Sequence, residues 1–91
     1  MIAVDAGSTD PGPYYLGSGA SFTDRSAVRR DLALILTAAR ERGIPVLIGS
    51  AGGAGAAPHL AWAEGIVREI AAAHRLRFRL ATIAADVETN L

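Results

Sequence analysis

The sequence predicts an α/β fold, a Rossmann-like βαβαβ unit built on a parallel sheet in two or three layers. Three observations carry that expectation. Short apolar runs recur at Ile2-Ala3-Val4, Val46-Leu47-Ile48 and residues 77–83. The first two run straight into glycine-rich loops. Between the runs lie two stretches whose apolar residues repeat at three-and-four spacing, the period of a helix with one buried face.

The first strand begins almost at the first residue. Thr23 or Asp24 caps the first helix, whose apolar positions Val28, Leu32, Ile35, Leu36 and Ala39 share a face. Gly43 suits the left-handed residue that follows a helix, and Pro45 prevents continuation. Val46–Ile48 is short and apolar throughout, as a strand covered on both faces should be. The second helix starts near Pro58, a favoured residue of a first turn, and runs to about His74. It carries Leu60, Ala63, Ile66, Val67 and Ile70 on one face. Residues 77–83, Arg77-Phe78-Arg79-Leu80-Ala81-Thr82-Ile83, alternate and then turn apolar, which predicts a third strand at the sheet edge.

With 91 residues the chain is a single domain or domain fragment over 1–91. A chain of this size buries only about 60–65% of its unfolded surface, so its stability margin is small. Strand–helix–strand crossovers are right-handed almost without exception. Three strands in sequence order would therefore carry both helices on one face and leave the other bare, with open edges. Such a unit is incomplete as a free-standing domain. The expected partner is a second copy, in a homo-oligomer, or the remainder of a longer chain.

Composition narrows the function classes. Cysteine is absent, which removes disulfides and thiolate metal sites and fits a reducing compartment. Nine arginines balance nine acidic residues, and lysine is absent. A net charge of zero argues against a nucleic-acid partner held by phosphate neutralisation. The arginines Arg29, Arg30, Arg40 and Arg42, interleaved with Asp31 and Glu41, read as a solvated helix face. Without lysine there is neither Schiff-base chemistry nor a lysine-bearing phosphate loop. The sequence shows no targeting pattern and no apolar run of membrane length, so no membrane partner is expected and the expected location is cytoplasmic.

Ligands of open parallel sheets collect outside the carboxyl ends of the strands. Both glycine-rich loops sit there and predict one site. In the first, Asp5-Ala6-Gly7-Ser8-Thr9-Asp10, two carboxylates share a loop, which is costly unless they are used or paired. Asp5 and Asp10 are candidate catalytic residues, with Ser8, Thr9 and Tyr14 as candidate ligand-binding residues. Asp5 and Thr9 can equally cap the loop backbone. The opening residues resemble the first phosphate loop of the sugar-kinase and actin superfamily. Asp10-Pro11-Gly12-Pro13 stands where that fold turns into a second strand, so phosphotransfer is not expected.

In the second loop, Ser50, Gly52, Gly53 and Gly55 lead into a helix N-terminus, where small residues let backbone amides approach an anion. Pro58 stands where a dinucleotide fingerprint would have its third glycine, so no nicotinamide cofactor is expected. His59, beside this loop, is the candidate acid or base. Trp62 reads as core packing, with lining a pocket as the alternative, and Asp86 and Glu88 can join the same sheet end or equally be a frayed tail. No spacing matches a metal-ligand motif, so no metal is expected, and no cofactor is implied.

Three segments together resemble the acyclic terpene utilisation protein family: residues 4–17, Val4-Asp5-Ala6-Gly7-Ser8-Thr9-Asp10 through Gly17; Arg29-Arg30-Asp31-Leu32; and residues 48–60, through Pro58-His59-Leu60. Val67-Arg68-Glu69-Ile70-Ala71 continues the likeness, which spans nearly the whole chain. The resemblance implies a place in bacterial breakdown of citronellol- and geraniol-type compounds, whose intermediates travel as CoA thioesters. Together with the anion-ready loop it points to an anionic small molecule, an acyl-CoA or carboxylate, as partner. Without a nicotinamide fingerprint, the chemistry expected of an enzyme here is of lyase or hydratase type rather than redox. Family chains are several times longer and carry residues ahead of the first strand. The likeness therefore implies a segment, or a truncated relative that works as a non-catalytic oligomerisation or partner-binding module.

Overall fold

The computed structural model describes residues 1–7, 14, 18 and 24–86 of the chain. Its elements are β1 (Ile2–Asp5), α1 (Arg25–Arg42), β2 (Val46–Gly49), a 3₁₀ turn (Ala51–Gly53) and α2 (Ala57–His74). The fold is mixed α/β, with β1 and β2 paired in parallel. Ile2 stands beside Val46 and Asp5 beside Gly49. The Ile2 amide donates to the Pro45 carbonyl at 2.9 Å, and the Ala6 amide donates to the Gly49 carbonyl at 2.8 Å. Those two bonds extend the pairing past both ends of the ladder.

The ends of α1 follow from its local sequence. The Asp24 carboxylate accepts from the Ala27 amide at 3.1 Å, satisfying one of the first-turn donors. At the other end Gly43 takes φ 64°, a left-handed conformation that costs glycine little. The Ile44 amide then donates to the Ala39 carbonyl, and the chain is turned directly into β2.

Leu32 and Leu36 of α1 meet Ile66, Val67 and Ile70 of α2 in the core, with Val46, Ile48 and Trp62 packed against them. Ile66 and Ile70 are fully buried. In both strands alternate residues are half-buried and exposed. Ile2, Val4, Val46 and Ile48 turn inward, while Ala3 and Leu47, neighbours in the register, lie on the exposed face. Leu47 is 61% exposed. The described residues thus form two layers with one sheet face uncovered, as the crossover argument requires.

The third strand expected over residues 77–83 is not formed among the described residues, whose sheet has two strands. Leu76 and Phe78 fold back onto the core, and Arg77 and Arg79 point outward. Past Arg79 the alternation fails, leaving Leu80 43% and Ile83 87% exposed. A cleft of about 700 Å³ lies between Val46 and Ile48 on one side and Phe78 and Leu80 on the other. The sequence pattern is strand-like, but the segment stands off the edge that would bond it.

Candidate functional site

The two glycine loops meet at the carboxyl ends of the strands. A Cβ on Gly7 would lie 2.3 Å from the Gly53 carbonyl oxygen and 2.6 Å from Ser50 Cβ. Only a residue without a side chain lets the loops touch this closely. The second loop in turn folds onto the first turn of α2. Gly52, at φ 75°, would place a Cβ 2.2 Å from the His59 carbonyl oxygen. Gly53 and Gly55 also have positive φ, at 117° and 73°. Ser50 takes φ 49°, rare for a residue with a side chain, at the point where β2 gives way to the 3₁₀ turn.

Beside this junction lies a cavity of about 300 Å³. Val4 and Asp5 reach it from β1 and Ile48 from β2, while Gly52 and Gly53 supply the loop. Val28, Leu32 and Ile35 of α1 and Trp62 and Val67 of α2 make its hydrocarbon walls. Among the described residues its charged lining residues are Asp5 and Asp31, both carboxylates. A site with these walls excludes water from an apolar ligand body while keeping hydrogen-bond acceptors at its edge.

The expected site residues fall into three groups. Asp5, Gly52 and Gly53 come together at the cavity. The Asp5 Oδ1 accepts from the Gly7 amide at 2.8 Å, the backbone-capping role that its position also allowed. Ser50 and Gly55 belong to the loop behind the cavity, with Ser50 exposed and Gly55 buried. His59 is 1% exposed and is absent from the cavity lining; Gly52 packs directly against its backbone. Tyr14 is 69% exposed. Ser8, Thr9 and Asp10 lie outside the described residues.

Two contributors were harder to read from sequence. Asp31 stands three residues after Val28 and four before Ile35, on the edge of the apolar stripe, and that placement was the available signal. It also approaches Arg30, Nε to Oδ1 3.4 Å, with both side chains largely exposed. Trp62, for which core packing was expected and pocket lining was the alternative, does both.

The N-terminus of α2 carries a carboxylate from the chain itself. Its cap position, Ala56, has no side chain able to accept a hydrogen bond. Asp86 Oδ2 instead accepts from the Ala57 amide at 2.7 Å, from 29 residues away in sequence. One residue earlier the Ala85 amide donates to the Gly55 carbonyl at 2.9 Å. The helix end expected to receive a ligand's negative charge is thereby met by Asp86. Glu88 lies outside the described residues.

Away from this site, Glu69 on α2 binds two arginines of α1. Arg25 Nη2 reaches Oε2 at 2.6 Å and Arg29 Nε reaches Oε1 at 3.0 Å. The hydrogen bond from Arg25, with a smaller contribution from Arg29, holds the Glu69 carboxyl below the ordinary glutamate range. Among the described residues no helix is long and apolar enough to cross a membrane, and no group of three or more acidic or histidine side chains is placed to hold a metal ion. Compared with known proteins, the chain matches no family model, no curated protein and no solved structure.

Proposed function

We propose that the chain is the ligand-binding α/β segment of an acyclic terpene utilisation-type protein, taking a small molecule with a hydrocarbon body and an anionic group. The cavity carries this reading. Its walls of Val28, Leu32, Ile35, Ile48 and Trp62 suit a branched hydrocarbon, and Gly52 and Gly53 bring backbone to its rim. The anionic group, a carboxylate or the CoA portion of an acyl thioester, then lies outward along the glycine loop. It must keep clear of Asp5 and Asp31, because like charges at short range repel strongly in a partly desolvated site. If the complete protein is an enzyme, Asp5 is the group best placed to position or exchange a proton with the ligand. His59, one layer deeper, then supports the loop as well as the proton chemistry read from its sequence position.

Thermal unfolding with matched ligands tests the reading. A branched ten-carbon carboxylic acid, its alcohol and its CoA ester share one hydrocarbon body and differ in the head group. Ligand at a hundred times its dissociation constant adds about 2.7 kcal/mol to stability, a visible melting shift. The expected result is a shift with the acid or the thioester that Val28→Trp, which fills the cavity, abolishes. A shift with the alcohol alone would discard the anionic group, and no shift with any of the three would discard the reading.

A second reading is favoured by the uncovered sheet face. Leu47 beside Ala3, with Met1 79% exposed nearby in sequence, fits a module that works by joining a second copy or the rest of a longer chain. In that reading residues 77–83 complete the three-stranded Rossmann-like unit. Light scattering of the purified chain distinguishes the two: a stable dimer indifferent to the ligands favours the module.

A further inference from the structure

We propose that residues 77–81 are a strap that closes onto the free edge of β2 as a third parallel strand, with Arg79 beside Leu47, Phe78 beside Val46 and Leu80 beside Ile48. This rests on the path of the chain and not on the ligand proposed above.

The segment is held at both ends. The Leu76 amide donates to the Ala71 carbonyl at 2.9 Å, anchoring it to the last turns of α2. Its other end is held at the start of α2 by the Ala85–Gly55 and Asp86–Ala57 hydrogen bonds. The segment therefore runs back along the length of α2, in the direction a parallel strand after that helix must take. From Ala57 to Ala71, the anchor points on α2, the helix rises about 21 Å. Nine residue steps from Leu76 to Ala85 span about 30 Å when extended. The chain between its anchors is thus long enough to lie extended beside β2 with slack left over, and it has no strand partner among the described residues.

The faces also agree. Val46 and Ile48 turn toward the helices, as Phe78 does, while Leu47 is exposed, as are Arg77 and Arg79. Parallel neighbours show the same face at the same level, so Phe78 and Leu80 belong with Val46 and Ile48. These four residues already line the same 700 Å³ cleft. Closing removes that cleft, satisfies the open edge of β2 and covers Leu80. The anchors at Gly55 and Ala57 need not break. Because they join the strap to the glycine loop, closure also stiffens the loop that borders the cavity.

The chain has no cysteine, so a disulfide trap reads closure without background. Leu47→Cys would be combined in turn with Arg77→Cys, Arg79→Cys or Ala81→Cys and oxidised under mild conditions. Neighbouring strands bring paired Cα atoms within disulfide range, and positions two residues off fall outside it. The expected result is bond formation about tenfold faster for the Arg79 pair than for either offset pair, following that distance rule. Equal rates, or a faster offset pair, overturn the proposal. Amide hydrogen exchange on the unaltered chain decides the matter if the cysteine variants do not fold. Slow exchange at alternate amides within 77–81 supports a ladder, and uniformly fast exchange overturns it.

Discussion

The two helices have the same length, 18 residues each, and are capped in different ways. Each end of α1 is written within a few residues of itself, in Asp24 before it and Gly43 after it. Only the first end of α2 is borrowed. Its first turn is capped by Asp86, 29 residues away, whereas its last is closed locally by Arg75, a side-chain-bearing residue at φ 54°. A helix with local caps can form its ends before the rest of the molecule is in place. One whose N-terminal cap is borrowed has that end only when residues 76–86 have returned along it. We therefore expect α1 to be the autonomous helix and α2 the one that reports on the site.

The largest effect should come from the glycines that follow the two strands and helices. Gly43 and Gly52 have similar φ, 64° and 75°, but different surroundings. At Gly43 a Cβ meets nothing within 4 Å, whereas at Gly52 it would meet the His59 carbonyl oxygen at 2.2 Å. Gly43→Ala should cost about 1 kcal/mol, the conformational term alone. Gly52→Ala should cost about 3 kcal/mol or more, because loop and helix must separate as well. Urea unfolding of the two variants measures the difference. Equal losses would mean that the second loop is not packed against α2 as described.

How much of this was legible in the sequence divides along the same line. The stripe from Val28 to Ala39, the Asp24 cap and the Gly43–Pro45 stop are local signals, and the structure follows them. Both loops were expected at one end of the sheet, and Gly7 does touch Gly53. Three things depended on contacts between distant residues, and no local pattern could supply them. Asp86 had to meet Ala57. His59 had to turn into the core behind Gly52 instead of toward the cavity. Residues 77–83 had to find, or miss, the edge of β2. The period-two pattern there predicts a third strand, and none forms among the described residues, because a strand exists only where a partner bonds it.

The caps give a sharper test at smaller magnitude. Asp24→Ala and Asp86→Ala should each cost about 1 kcal/mol, the usual loss of a side-chain helix cap. Their reach should differ. Removing Asp24 should speed amide exchange only in the first turn of α1. Removing Asp86 should speed it in the first turn of α2 and through residues 76–85 as well, because one anchor of that segment goes with it. Exchange limited to Ala57 and its neighbours would show that Ala85 and Leu76 hold the segment unaided. At the other end of α2, Arg75→Gly should stabilise by about 0.5–1 kcal/mol, since glycine occupies the left-handed region without the steric cost. Its sign is opposite to that of Gly43→Ala, and thermal unfolding shows it directly.

The smallest effect concerns the clamp between the helices. Arg25 and Arg29 of α1 both bond Glu69 of α2, so the pair ties the autonomous helix to the dependent one. All three side chains are partly exposed, and interactions of this kind are weak and screened by salt. The pH dependence nonetheless has a definite sign. The Glu69 carboxyl is held below the ordinary value of 4.5, first by the Arg25 hydrogen bond. A carboxyl with a lowered folded-state pKa contributes its stability fully above the unfolded value and loses it as pH falls through the folded value. Glu69's contribution to the melting temperature should therefore stay constant from neutral pH down to the region just above 4.5 and begin to be lost below it. Glu69→Gln removes the titrating group. The gap in melting temperature between it and the unaltered chain should be constant at higher pH, shrink below 4.5, and be smaller throughout in high salt. A gap that widens on acidification would mean that the arginines do not hold Glu69 in solution. The two helices would then be joined by their apolar contacts alone, Leu32 and Leu36 against Ile66, Val67 and Ile70.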